Sequence, residues 1–306
     1  MSQRTRSLIS LHDLDQEDLL SLVRGAADLS KEQPEGALDG RVVATFFTKT
    51  STRTRTSFQV AALRLGARLI ELRSDDLQLT TGESQDDTMR VLAGMVDAVV
   101  MRTAGPEAEM RAAAQGNPWS VVNAMSAEEH PTQAISDTGW LLRHFGDLEG
   151  LTISYVGEGN NTATALAACL TRFPGVRLEM CCPPGYGLPA DVVERARLLA
   201  QDSGATLCLV DDPSELSAGT DVLYTTRWQT TGSSKADVNW RETFEPFRID
   251  GQLLERCAKA VVMHDLPAHR GEEITAEVLD GPRSVAFDQA HAKVFGAMST
   301  LLWCLT

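Results

Sequence analysis

The sequence predicts an α/β protein built from two parallel-sheet domains with a cleft between them. Short apolar runs rich in β-branched residues alternate with amphipathic segments along the whole chain, which is typical of parallel strand–helix units. Gly and acidic residues interrupt this alternation at 146–150, and 306 residues are enough for two domains. We therefore predict a first domain at 1–147, completed by a C-terminal helix at 288–306, and a second domain at 148–287.

In the first half, the buried-strand pattern and helical spacing of apolar residues define four strand–helix units. The predicted strands are Val42–Phe47, Leu69–Leu72, Ala98–Met101 and Trp119–Asn123. The predicted helices are Asp15–Leu29, one with its apolar spacing from Phe58, Asp87–Met95, Pro106–Gln115 and one from Pro131 to Phe145. Residues 74–88 are polar and have no core-forming pattern, so we expect a functional loop there.

The second half repeats the alternation. The predicted strands are Leu151–Val156, one ending at Cys181 and Cys182, Thr206–Val210, Val222–Thr225 and Ala260–Met263. The predicted helices are Thr162–Arg172, Ala190–Asp202 and Asp288–Leu305. The Gly157-x-Gly159 that follows the first of these strands lacks the third glycine and the distal acid of a dinucleotide site, so no such site is predicted.

Composition excludes several classes of function. The chain has 28 basic and 42 acidic residues, a net charge of −14, which argues against a nucleic-acid or anionic-membrane surface. No apolar run is long enough to span a membrane, and the N-terminus lacks the apolar core of a signal peptide. The six cysteines lack metal-ligand spacing and mostly lie in apolar runs, so we expect reduced thiols of a cytoplasmic protein. We predict no metal and no cofactor.

A candidate anion site follows the first strand. Residues 41–73 hold seven Lys or Arg and one acid, and Ser51–Arg55 interleaves hydroxyls with guanidinium groups at a helix start. Unpaired N–H groups and the helix dipole bind anions there, and Arg adds bidentate bonds to phosphate. The alternative is that Ser51 or Thr52 merely caps a surface helix. The glycines of a nucleotide P-loop are absent.

Two further sets of polar residues lie where strands end and helices begin. Arg102 follows the third strand, and ligands of open α/β sheets gather at the carboxyl ends of strands. His130 and Gln133 open the helix that has Pro131 at its first position, and one turn of helix points both side chains in the same direction.

These motifs, in this order, resemble the aspartate/ornithine carbamoyltransferase family. The resemblance covers Ser51–Arg55, Val91–Arg102 and His130–Gln133, and continues in Gly157–Asn161 and His264–Glu273 and at 287–290 before the last helix. It implies that the phosphate and carbamoyl groups of carbamoyl phosphate contact Ser51, Thr52, Arg53, Thr54, Arg102, His130, Gln133, the backbone of Leu266, Lys293 and Gln78. Within this set it implies catalytic roles for Arg53, Thr54, Arg102 and His130. The family also implies a homotrimer, with the polar loop 74–84 reaching a neighbouring subunit.

The acceptor side departs from both branches of the family. Thr226 stands where the ornithine branch has an acid, and Thr226-Arg227-x-Gln229 resembles the aspartate branch. Thr81 replaces the lysine of that aspartate branch, and Asp265 replaces Cys or Pro of the two branches. Lys293 stands where the family usually has Arg. The residues we expect to contact the acceptor are Asn161, Thr226, Arg227, Gln229 and Asp265.

We therefore predict an enzyme that transfers the carbamoyl group of carbamoyl phosphate to the amine of an amino-acid-like acceptor, neither ornithine nor aspartate. A short diamino acid is one candidate. Arg227 would bind a carboxylate, and Asp265 would bind a cation or accept a proton, unless it pairs internally with Arg270. The alternatives are an ornithine carbamoyltransferase with drifted acceptor residues, or a non-catalytic carbamoyl-phosphate-binding protein.

Overall fold

The computed structural model describes residues 5–73, 77, 82–103, 105–229 and 234–306. The chain forms two compact units, one ending at Arg143 and completed by Ala292–Thr306, and the other His144–His291. Each unit is an α/β structure built on a fully parallel sheet, as the alternating sequence pattern predicts.

The first unit contains a four-stranded sheet in the order β2-β1-β3-β4. Its strands are β1 (Val42–Phe47), β2 (Arg68–Leu72), β3 (Ala98–Arg102) and β4 (Ser120–Met125). Its helices are α1 (Gln16–Asp28), α2 (Arg53–Arg64), α3 (Gln85–Ala93), α4 (Glu107–Ala114), most of α5 (Pro131–Phe145) and the end of the last helix, α11 (Ala286–Leu305).

Both faces of this sheet are buried because successive strand residues point to opposite sides. Val43 and Phe47 of β1 pack in one cluster with Phe58 of α2 and Leu301 of α11. Ala44 and Phe46 pack in the other cluster, which contains residues of α3 and α4. Burial on both faces explains why β1 is a continuous apolar run rather than an alternating one.

The second unit contains a five-stranded sheet in the order β7-β6-β5-β8-β9. Its strands are β5 (Thr152–Val156), β6 (Arg177–Cys181), β7 (Thr206–Val210), β8 (Val222–Thr225) and β9 (Val261–His264). Its helices are α6 (Asn161–Leu170), α7 (Ala190–Ser203), α8 (Trp240–Phe244), α9 (Gly251–Arg256) and α10 (Ala276–Leu279), followed by the start of α11.

Strand order reverses once in each sheet, between β1 and β3 and between β5 and β8. At such a switch point the two following loops diverge and leave a crevice at the carboxyl ends of the strands. The turn at 48–52 and Arg102 lie at the first of these points, and the loops at 157–160 and 226–229 lie at the second.

The predicted strands are confirmed, and the helices predicted with both limits agree with the structure to within about two residues at each end. α2 begins at Arg53, within the helix start expected at Ser51–Arg55 and ahead of the apolar spacing from Phe58. α3 begins at Gln85 rather than Asp87, and the Ser84 hydroxyl caps it by accepting a hydrogen bond from the Asp87 N–H. The sequence pattern missed α8, α9 and α10, because helices of four to six residues are too short to display a period of 3.6.

Candidate active site

The first set of site residues surrounds the N-terminus of α2. Thr52 occupies the N-cap position, but its side chain makes no capping hydrogen bond, which argues against the alternative in which Thr52 merely caps this helix. The first N–H groups of a helix lack intrahelical partners and attract anions. Thr54 is buried in the first turn, and Arg102 Nη1 donates to its hydroxyl at 3.4 Å.

The neighbouring strand fixes Arg102 in this place. β1 and β3 are paired so that Phe47 lies opposite Arg102, and the Thr48 N–H donates to the Arg102 carbonyl at 3.0 Å. Arg55 belongs to the same sequence motif but turns away from it. Its Nη1 donates to Glu71 Oε1 at 2.9 Å, and its guanidinium lies 5.2 Å from the Phe47 ring centroid.

The second set of residues lies on α5 and α11. His130 is buried, and its pKa is held well below the ordinary value by burial and then by the charges of Lys293 and Arg102. Lys293 donates to Gln133 Oε1, and Gln133 Nε2 donates to both carboxylate oxygens of Asp137, at 2.9 and 3.0 Å. The Gln133 amide is therefore fixed with its carbonyl toward Lys293.

These residues form a cationic group around a neutral imidazole. Arg102 and Lys293 both act on His130, and Arg102 contacts Thr54 at the uncapped start of α2. Such a group can bind a phosphate and can also donate hydrogen bonds to an oxygen that gains negative charge during a reaction.

In the second unit, the loops after β5 and β8 are joined through Thr226. Its buried hydroxyl accepts a hydrogen bond from Asn160 Nδ2 at 2.9 Å and lies 3.0 Å from the Tyr155 hydroxyl. The Tyr155 hydroxyl donates to the Glu158 carbonyl at 2.5 Å. Asn161 is buried at the start of α6, while Arg227 and Gln229 are half-buried.

Asp265 and Leu266 follow β9. Asp265 Oδ2 accepts a hydrogen bond from the Thr162 hydroxyl at 3.2 Å, whereas Arg270 binds Asp280 with both terminal nitrogens, at 2.5 and 2.9 Å. Arg270 therefore pairs with Asp280, which argues against the alternative in which Asp265 pairs with Arg270.

Leu266 has a φ of +50°, in the left-handed region that leucine rarely adopts. Its N–H donates to His264 Nδ1 at 2.8 Å, so the other ring nitrogen, Nε2, carries the proton and donates to Glu273 Oε1 at 2.9 Å. The buried His264–Glu273 pair thus fixes the backbone at Leu266, and strained backbone of this kind is typical of functional sites.

Comparison with known proteins agrees with this geometry in both units. Residues 6–142 match the family model for the aspartate/ornithine carbamoyltransferase carbamoyl-P binding domain, and residues 149–304 match the model for its Asp/Orn binding domain. The chain belongs to the aspartate/ornithine carbamoyltransferase family. It is therefore an enzyme, a carbamoyltransferase.

Similar proteins include the ornithine carbamoyltransferase of Gloeobacter violaceus, 38% identical over 296 residues that cover 96% of this chain and 94% of the relative. The ornithine carbamoyltransferase of Rhodococcus opacus is 40% identical with the same coverage. The structure resembles that of ornithine carbamoyltransferase from Pyrococcus furiosus, with a TM-score of 0.90, 33% identity and coverage of 100% of this chain and 98% of the other.

Some predicted residues of this carbamoyltransferase lie outside the described part of the chain. These are Gln78 and Thr81 of the polar loop, together with residues 230–233 after Gln229. Other residues were missed by the sequence analysis, among them Asp137, Tyr155 and Asn160. The spacing of Gln133 and Asp137 by four residues on a helix could have indicated the first of these.

One group among the described residues of the carbamoyltransferase could hold a metal ion: His269, Glu272 and Glu273, whose ligand atoms lie within 4.8 Å of one another. Part of this set is already engaged, because Glu273 Oε1 accepts the His269 N–H at 2.6 Å as well as the His264 ring. The absence of a metal from the reaction stays a prediction.

Proposed function

We propose that this carbamoyltransferase transfers the carbamoyl group of carbamoyl phosphate to the amine of an amino acid. The observation that supports this best is the neutral, buried His130 beside Arg102 and Lys293, with Arg102 also contacting Thr54 at the uncapped start of α2. The phosphate would bind Ser51, Thr52, Arg53, Thr54 and Arg102. His130, Arg102 and Thr54 would bind the carbamoyl oxygen.

In the proposed reaction the acceptor amine attacks the carbamoyl carbon, the new C–N bond forms, and the bond from carbon to the phosphate oxygen breaks. Negative charge develops on the carbamoyl oxygen, and fixed donors aimed at that oxygen lower the barrier. The amine proton leaves with the phosphate group. The enzyme contributes positioning and electrostatic stabilisation, without a covalent intermediate.

Ornithine is the first acceptor to test. The curated relatives and solved structures to which the chain is similar carry the name ornithine carbamoyltransferase, at 36–41% identity among the relatives. These relatives favour ornithine over our expectation that the acceptor is neither ornithine nor aspartate.

A second candidate is a different amino acid, such as a short diamino acid. The hydroxyl of Thr226, which replaces an acid of the ornithine branch, is bonded to Asn160 and Tyr155. The carboxylate of Asp265, which directly precedes Leu266, could attract the ammonium group of the acceptor. Arg227 could bind the acceptor carboxylate. Both candidates assign the same residues to the binding of carbamoyl phosphate and differ only in the acceptor.

A mass-spectrometric screen with carbamoyl phosphate and single amines tests both. The panel contains ornithine, aspartate, lysine, putrescine and 2,3-diaminopropionate, and the product gains the mass of one carbamoyl group. Carbamoylation of ornithine alone supports the first candidate, and carbamoylation of another amino acid supports the second. No product with any amine, while carbamoyl phosphate still binds, would contradict the proposed transfer.

We also propose a cytoplasmic homotrimer in which Gln78 contacts carbamoyl phosphate bound to a neighbouring subunit. All six cysteines are free thiols, and no helix within the described residues is both long and apolar enough to cross a membrane. Large apolar side chains of the first unit are exposed in the single chain, among them Leu63, Ile70, Val91 and Met95. Sedimentation of the protein as a monomer at micromolar concentration would contradict the trimer.

A further inference from the structure

The side chain of Lys235 is buried in the second unit, with only 4% of its surface exposed. Its ammonium group forms an ion pair with Glu158. The same nitrogen lies 4.9 Å from the ring centroid of Tyr186, 5.0 Å from that of Phe244 and 5.3 Å from that of Trp240. Lysine is rarely buried to this extent unless its charge is compensated.

The surroundings compensate the charge in two ways. The Glu158 carboxylate supplies the opposite charge, and the aromatic rings present their negative faces to the ammonium. The rings also support one another, because the Phe244 centroid lies 4.8 Å from that of Tyr186 and 5.5 Å from that of Trp240. We call Glu158, Tyr186, Trp240 and Phe244 the lysine cage.

The lysine cage adjoins the loop that begins α6. Glu158 lies in that loop, and Asn160 of the same loop caps α6 through hydrogen bonds from Thr162 N and Ala163 N. Asn160 also donates to the Thr226 hydroxyl. Thr226 and Lys235 are therefore both attached to residues 158–160. The lysine cage also packs against the buried Trp228, whose ring centroid lies 5.6 Å from that of Phe244.

Trp228 lies between Arg227 and Gln229, which we expect to contact the acceptor. We propose that Lys235 is a positioning residue: its attachment to the lysine cage holds the cage rings against Trp228, so that the adjacent Arg227 reaches the acceptor. This inference rests on the proposed function, because it assigns a role in binding the amine substrate. It extends that function, since the motifs that carry the family resemblance do not include Lys235.

The rival explanation is that the lysine cage only stabilises the second unit. The two explanations differ in what a kinetic experiment measures. A positioning role affects the acceptor selectively, because the residues expected to bind the phosphate of carbamoyl phosphate belong to the first unit. A purely structural role would reduce the amount of active enzyme, and would lower kcat without a selective change in either KM.

The test uses Lys235→Met, which keeps the aliphatic stem and removes the ammonium. We expect the KM for the acceptor to rise roughly ten-fold or more, from the loss of a buried ion pair and several cation–π contacts. The KM for carbamoyl phosphate is expected to stay within about two-fold, and Lys235→Arg should recover part of the acceptor affinity. Lys259→Met is the matched control, because Lys259 is an exposed lysine of the same unit paired with Asp221.

Lys235→Met removes the anchor and also leaves the Glu158 carboxylate without its cation. The double variant Glu158→Gln with Lys235→Met removes both charges and so separates these two effects. If anchoring matters, the double variant keeps the raised acceptor KM. Recovery of the acceptor KM in the double variant would overturn the proposal, as would an unchanged acceptor KM in Lys235→Met.

Limited proteolysis tests the anchoring without any turnover. Trypsin should cut after Arg227 at least several-fold faster in Lys235→Met than in the wild type or in Lys259→Met, as followed by mass spectrometry. An unchanged rate of this cleavage would overturn the anchoring even if the enzyme proved inactive. A wild type that carbamoylates no amine would contradict the proposed function, and the cleavage rates would still decide the role of Lys235.

Discussion

His130 lies where burial and two cations all oppose its protonation. Its pKa is lowered well below 6.5 by burial first and then by Lys293 and Arg102, so the ring stays neutral at and below neutral pH. A neutral imidazole still has one N–H to donate to the carbamoyl oxygen. We expect kcat to show no loss from protonation of this ring between about pH 8 and 6.5.

Removal of this donor should be costly. His130→Ala is expected to lower kcat roughly 10²- to 10³-fold, as loss of one oxyanion donor typically does. The exposed His291 on α11 supplies the control variant, His291→Ala, which should keep wild-type kcat. A His130→Ala enzyme with nearly normal kcat would show that His130 does not act on the developing charge.

Arg227 is the residue that we expect to bind the carboxylate of the acceptor. Arg227→Ala should raise the acceptor KM by roughly ten-fold or more, because a charge-assisted bond is lost. Arg227→Lys should recover only part of that affinity, since a point charge replaces the planar fork. Steady-state kinetics with the amine identified by the screen would measure both. An unchanged acceptor KM in Arg227→Ala would remove the carboxylate role.

Among the individual site residues, the sequence predicts those that belong to short local motifs and misses those that meet only after folding. Thr54, His130 and Gln133 stand at helix starts and could be found from local patterns, although their roles stay predictions. The partners of Lys235 lie at 158, 186, 240 and 244, and no local spacing connects them.

At the scale of elements, strand positions were predictable because a parallel sheet buries both faces of each strand. β3 reads as an apolar run until Arg102, where it ends. The short helices α8 to α10 depend instead on tertiary contacts, such as those of Trp240 and Phe244 with neighbouring rings. Propensity over so few residues cannot predict them.

The crossing of α5 and α11 is the packing contact that holds Gln133 beside Lys293. A Cβ added at Gly296 would lie 2.0 Å from the Ser136 Oγ and 2.9 Å from the Ser136 Cα. Gly296 lies three residues after Lys293 on α11, and Ser136 lies three residues after Gln133 on α5. Each pair therefore shares one face of its helix.

Gly296→Ala should therefore separate the two helices. We expect a loss of about 1–3 kcal/mol of unfolding free energy, typical of overpacking, and a higher KM for carbamoyl phosphate. Chemical denaturation and kinetics measure the two effects. Gly251→Ala is the control, because nothing lies within 4 Å of a Cβ added there, and it should be neutral or slightly stabilising. Equal stability of both variants would show that the crossing is not tight.

At the scale of the molecule, each sheet brings together residues far apart in sequence at its own switch point. Alternation predicts parallel sheets but not strand order, and strand order alone places Arg102 beside the turn after β1. The same limit applies to the contact of Thr226 with Asn160, which requires β5 and β8 to be neighbours. The fold was therefore predictable as a class, whereas the meeting of the site residues was not.

A buried carboxylate should make the stability of the whole molecule depend on pH. Glu129 is 2% exposed and accepts hydrogen bonds from the Ser10 hydroxyl at 2.5 Å and the Leu11 N–H at 2.9 Å. Burial raises its pKa from 4.5 to about 7, although these two hydrogen bonds act in the opposite direction. Between these two pKa values the unfolded chain binds fewer protons at Glu129 than the folded protein does.

The unfolding free energy should therefore fall as pH rises from 4.5 through about 7, by roughly 3 kcal/mol from this group alone. Glu129→Gln cannot ionise, yet it can still accept from Leu11 N–H and donate to the Ser10 hydroxyl. We expect its stability relative to the wild type to increase across this pH range and to level off above it. Denaturant unfolding of both proteins at several pH values measures the difference. A difference that does not change with pH would mean that water or movement of the N-terminal segment relieves the burial of Glu129.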